Sequence, residues 1–210
     1  MEEEIICFRR ELLTKRPNES GVFYDEVLWH NIVDNLQVIP RSSAERDYDF
    51  KQLVVYTVIK SKSLFLTYRR TPKTNEERLR NRYSIGVGGH INIGDRTQLT
   101  LFNSDHREGF LLEALWRELG EEIKIESQNI SKPELVCFIN DDSNDVSRVH
   151  FGIVWLLEIA EPRVSLKKEK GIGKLDFVDM SGLQHRRGQF EKWSQLLIDY
   201  FSIERDEVIH

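Results

Sequence analysis

Three glutamates, Glu118, Glu121 and Glu122, stand within five positions of one another, with Arg117 directly before them. Carboxylates at that density serve either a solvated helix face or a divalent cation. The segment around them, GFLLEALWRELGEE at 109–122, has the apolar spacing of a helix. At about 100° per residue, Glu121 falls about 60° to one side of Glu118 and Glu122 about 40° to the other. Leu111, Leu112, Leu115 and Leu119 occupy an overlapping arc, so the acidic face does not oppose the apolar stripe. Glu122 projects inward between Leu111 and Leu115, Glu118 sits at the border, and Glu121 leans away. Carboxylates near a helix C-terminus oppose the helix dipole at about 0.3–1 kcal/mol each, and their mutual repulsion adds a few tenths more. Arg117, four residues before Glu121, offsets part of this. A divalent cation would offset the rest, and magnesium, with its oxygen ligands and retained waters, suits chemistry on phosphates.

The elements that must position these groups can be read around them. YSIGVGGHINIG at 83–94 is too rich in glycine for a helix and reads as strand and loop. QLVVYTVIK (52–60) and SLFLTYRR (63–70) are β-branched and aromatic, a strand pair with a turn at Ser61-Lys62. IKIES, ELVCFIN and VHFGIVWLLEIA (149–160) read as strands after the acidic helix, with a short one at 174–180. VLWHNIVDNL (27–36) has the spacing of a short helix, and GQFEKWSQLLIDYF (188–201) that of an amphipathic one. PRSSAERDYDF reads as a polar connection, 71–82 as a charged loop, and GIG at 171–173 as a turn. Strands mixed with a few helices predict an α/β or α+β architecture. The expected division is an N-terminal elaboration over 1–50 and the main domain over 51–210.

The chain has 210 residues and a formal net charge of −5, which gives no basic footprint for nucleic acid. Cys7 and Cys137 lie in apolar runs and are expected as reduced core residues. The start, MEEEIICFRR, lacks the pattern of a secretory signal, and no run is long enough to span a membrane. The expectation is a soluble, cytoplasmic protein.

GGHINIGD (88–95), followed by REGFLLEALWRELGEEIKI, resembles the box of the Nudix hydrolase family, G-x5-E-x7-R-E-U-x-E-E-x-G-U with U aliphatic. Gly89 matches the first glycine, Arg117, Glu118, Leu119, Glu121 and Glu122 match R-E-U-x-E-E, and Ile125 matches the last aliphatic position. Asp95 stands where the box has its first glutamate, with Glu108 as an alternative. Between Asp95 and Arg117 lie 21 residues where the pattern has seven, an insertion of about 14. Lys124 replaces the late glycine. GVGGHIN and AERDYDFKQL further resemble a subgroup described as predicted phosphoesterases, which names no substrate.

The resemblance, over residues 52–200, implies an α/β/α sandwich with a mixed sheet and hydrolysis of a diphosphate in a nucleoside diphosphate derivative or related small molecule. By position it implies magnesium or manganese on Glu118, Glu121, Glu122 and the Gly89 carbonyl, with Arg117 orienting a box glutamate. Glu118 is the first choice of general base, and Asp141, Asp142 and Asp145 are candidates whose ordinary reading is a polar turn. Arg69 and Arg70 are candidate phosphate contacts or a solvated edge. His90 and His150 are expected to be structural, and Trp116 to pack against another element. The inserted segment 96–108 carries Leu99, Leu101 and Phe102 and is expected either to shape the substrate pocket or to join a homodimer. Two other classes stay open: a catalytically silent nucleotide-binding module, and an isoprenoid diphosphate isomerase, which would need an activated cysteine.

Overall fold

The computed structural model describes residues 2–13, 21–71, 80–95, 109–167 and 172–207. The segment 96–108, with its expected role beside the pocket or in a dimer, and Glu108 lie outside the described residues. The described strands are β1 (Glu4–Arg9), β2 (Gly21–Phe23), β3 (Gln37–Pro40), β4 (Phe50–Ser61), β5 (Leu64–Arg70), β6 (Tyr83–Ser84) and β7 (Gly86–Val87). They continue with β8 (Ile123–Ile125), β9 (Glu134–Asn140), β10 (His150–Glu158), β11 (Val164–Leu166) and β12 (Ile172–Asp179). The described helices are α1 (Glu26–Asp34), α2 (Arg41–Ala44), α3 (Gly109–Glu122), α4 (Asp145–Arg148), α5 (Met180–His185) and α6 (Lys192–Glu207). The architecture is the mixed α+β one expected. Among the described residues no helix is long and apolar enough to cross a membrane.

The chain divides into two units, and β4, β9, β10 and α3 each contribute residues to both. In the first unit (Met1–Tyr56, Gly88–Arg117, Val136–Val154), β1 pairs antiparallel with β3 and with the start of β4, while β10, β9 and β2 follow on the other side of β4. Aromatic rings fill its core. Phe151 meets Phe8 edge-on at 5.2 Å and stacks on Phe138 at 5.6 Å, and Trp29 of α1 covers Phe138 at 5.1 Å. α1 begins where Asp25 accepts a hydrogen bond from the Leu28 amide. Phe110, Leu111, Ala114 and Leu115 of α3 are buried at the spacing of one helix face. Cys7 and Cys137 are free and buried, and burial pushes the Cys7 thiol up to about 12.

In the second unit (Thr57–Val87, Glu118–Leu135, Trp155–His210), β5 pairs antiparallel with β12, with the end of β4 and with β6. β7 pairs with β4 at Thr57 and Val58. The β4–β5 turn places Lys62 at φ 56°, the left-handed region that tight hairpins require. α6 starts on the Glu191 carboxylate, which accepts from the amides of Trp193 and Ser194, and lays Leu197, Ile198 and Phe201 into the core, with Phe201 5.9 Å from Phe65. Among the described residues β8 pairs with β11 alone, as a separate ribbon.

EIICFR near the N-terminus, to which sequence reasoning assigned no element, is a strand, β1, whose Ile5 and Cys7 pack with Ala44 and Phe50. The expected polar connection at 40–50 contains the four-residue helix α2, whose last residue, Ala44, supplies the apolar contact. Trp116 of α3 is 42% exposed.

Candidate metal and catalytic site

The first unit holds the glycine segment. Gly88 runs so close to β4 that a Cβ there would stand 1.8 Å from the Val55 carbonyl oxygen, so the position admits only glycine. The Val55 amide donates to the Gly89 carbonyl at 3.0 Å and the Ile91 amide to the Leu53 carbonyl at 3.1 Å. The Gly89 oxygen, having two lone pairs, keeps one for another partner. The chain then turns at 93–95, where the Asp95 carboxylate accepts from the Asn92 amide at 2.8 Å.

Asp95 is nearly inaccessible to solvent, and its two oxygens take Arg117 Nε at 2.6 Å and Nη2 at 2.8 Å. This two-pronged geometry is the strong form of a carboxylate–guanidinium pair. Arg117 Nη2 also donates to the His90 carbonyl at 2.9 Å, so the arginine ties His90 and Asp95 to α3.

The second unit holds the carboxylates. Glu121 is exposed, Glu118 half-buried, and Glu122 turns inward. Glu122 Oε2 is buried and has no hydrogen-bond partner among the described residues. Burial raises the Glu122 carboxyl to about 7; the charge of Arg70 opposes this, and those of Glu118 and Glu121 add to it. Arg70 lies over the ring of the buried Tyr68 at 5.4 Å, and Arg69 donates to Asn81 Oδ1 at 3.3 Å. Among the described residues no three His, Cys, Asp or Glu side chains converge as metal ligands. The three glutamates share one helix end. An orphaned buried carboxylate oxygen beside two further carboxylates is an all-oxygen donor set that fits magnesium or manganese. α3 runs directly into β8, and its end is capped by Lys167, whose Nζ donates to the Gly120 carbonyl at 2.6 Å and whose amide donates to the Glu122 carbonyl at 3.0 Å.

The remaining candidates fall back in the first unit. Asp142 pairs with the fully buried Lys51 at 2.7 Å and with Arg10. Burial pulls the Lys51 ammonium down to about 8, against the pull of Asp142. Asp141 accepts from the Ser143 amide, while its Oδ2 is buried with no hydrogen-bond partner among the described residues; Asn144 caps α4, and Asp145 pairs with Arg148. His90 Nε2 lies 2.9 Å from His150 Nε2; burial, with the nearby charge of His150, lowers His90 to about 3. Sequence reasoning did not find this contact, nor the Lys51–Asp142 pair, because partners some 60 and 91 residues apart leave no local spacing.

No family model matches the chain. Over 211 residues it is 30% identical to protein YmaB of Bacillus subtilis (strain 168), the match covering 95% of this chain and 97% of that protein. Tm1382, a protein assigned to the Nudix hydrolases, shares the fold with a TM-score of 0.75 at 25% identity, over 95% of this chain and 98% of that one. The chain shares the Nudix hydrolase fold. DR0079 of Deinococcus radiodurans shares the fold with a TM-score of 0.56 at 16% identity, over 87% of this chain and 98% of that one. So does a bifunctional NMN adenylyltransferase/ADP ribose pyrophosphatase of Francisella tularensis, complexed with AMP and a manganese ion, with a TM-score of 0.52 at 13% identity over 73% of this chain and 42% of that one. Within the Nudix box, Asp95 at the first glutamate position pairs with Arg117, and Lys124 at the late glycine position lies in β8, where the helix-capping bonds come from Lys167.

Proposed function

We propose that this Nudix protein hydrolyses a diphosphate linkage in a nucleoside diphosphate derivative, using magnesium or manganese held by Glu118, Glu121 and Glu122. The observation that carries the reading is the buried, partnerless Glu122 Oε2 beside two more carboxylates. A buried acceptor left unmade costs about 1–3 kcal/mol, which a folded chain tolerates where a ligand satisfies it. When bound, the cation would neutralise the diphosphate and lower the pKa of a water. Glu118 would take the proton of the attacking water as general base. Arg117, held by Asp95, fixes the start of the carboxylate run. Arg70 is proposed to meet a substrate phosphate, since its charge already acts on Glu122.

The test is a panel of ADP-ribose, a nucleotide sugar, a dinucleoside polyphosphate and a nucleoside triphosphate, each with magnesium or manganese. Monophosphate products should appear with at least one, and Glu122→Gln should lower kcat by orders of magnitude with the fold intact. Wild-type turnover in Glu122→Gln would refute the ligand assignment. Tight nucleotide binding without turnover would favour the silent module.

A further inference from the structure

The His90–His150 contact fixes where the protons sit. His150 Nδ1 lies 2.5 Å from the Val146 carbonyl oxygen. A carbonyl only accepts, so Nδ1 of His150 carries a hydrogen. In a neutral ring its Nε2 is then a bare acceptor. His90 Nε2, 2.9 Å away, must therefore donate, which leaves His90 Nδ1 bare. The bonds run in one direction, from His90 to His150 and from His150 to Val146.

His90 sits in the middle of the glycine segment. That segment is bound through its main chain by Val55, by Leu53, by the Ile6 amide, which donates to the Ile91 carbonyl at 2.8 Å, and by Arg117. His150 instead grips a side chain of it, from β10. Val146 belongs to α4, which Asn144 caps and which follows the turn where Asp142 pairs with Lys51. The contacts thus tie the 141–148 turn to the glycine segment through two imidazoles.

We propose that His150 is a positioning residue for the glycine segment, acting through the fixed tautomer of His90 and linking that segment to α4.

The test uses the full chain. Two-bond proton–nitrogen spectra of the histidine side chains should show His90 as the Nε2–H tautomer and His150 as the Nδ1–H tautomer. His150→Leu removes the acceptor, while His150→Gln keeps an oxygen within reach of His90. In His150→Leu the Ile91 amide should exchange with solvent about tenfold faster or more, with amides of the β5–β12 pairing unchanged. His150→Gln should restore most of the protection. Should His150→Leu fail to fold, the tautomers and the His150→Gln exchange decide. A His90 Nδ1–H tautomer, unchanged Ile91 exchange in His150→Leu, or no recovery in His150→Gln would overturn the proposal.

Discussion

Asp95→Asn is the substitution whose cost the structure defines best. The side chain is 5% exposed and accepts two hydrogen bonds from Arg117 and one from the Asn92 amide. The amide that replaces it keeps one accepting oxygen and turns an NH2 toward the guanidinium. Breaking a fully buried ion pair costs about 3–5 kcal/mol. Arg117 is 30% exposed, so water takes over part of its solvation and the expected loss is about 2 kcal/mol. In a chain of this size that is a fall in Tm of about 4–8 °C. Asp95→Glu places the usual family residue there and retains the charge, so its loss should be less than half as large. Urea denaturation of the three proteins, followed by fluorescence, checks this. The Arg117→Lys/Asp95→Asn double mutant should lose less than the sum of the singles, because the pair acts as a unit. Asp95→Asn within about 0.5 kcal/mol of wild type would refute the claim that Asp95 anchors the box arginine.

Gly88→Ala sets a methyl group against the Val55 carbonyl and should cost about 3 kcal/mol or more, read as loss of soluble, cooperatively melting protein. Glu122 gives a pH signature: its folded carboxyl titrates at about 7 and an ordinary one at 4.5, so the metal-free folded chain holds the extra proton between them. Stability from this group is therefore full below about 4.5 and is lost as pH rises through about 7, a slope that thermal melts should show and Glu122→Gln should flatten. Millimolar magnesium or manganese should raise the Tm, and the rise should vanish in Glu118→Gln/Glu122→Gln; an unchanged wild-type melting curve would count against a preformed site.

Much of the fold was legible because its signals are local. The span predicted for the acidic helix coincides with α3, and Glu122 turns inward where the helical wheel places it. The pairs β4–β5 and the strands β9 and β10 follow runs of β-branched and aromatic residues. β1 was missed because EIICFR is short and lies behind an acidic start, and its stability comes from pairing with β3 and β4. In the candidate site, residue types and box spacing pointed to the carboxylates. The choice between Asp95 and Glu108 for the first glutamate of the box could not be made from spacing, because the insertion breaks it. Asp95 makes a two-pronged contact with Arg117, and Glu108 lies outside the described residues.

The central claim is that Glu118, Glu121 and Glu122 hold a divalent cation for hydrolysis. Manganese titration followed by electron paramagnetic resonance tests it most directly, because bound manganese loses the sharp signal of the free ion. Wild-type protein should remove about one ion per chain, Glu122→Gln should bind more weakly by at least tenfold, and added magnesium should release the manganese. A wild-type chain that leaves the free-manganese signal intact at millimolar concentration, or a Glu122→Gln variant that binds as the wild type does, would contradict the account.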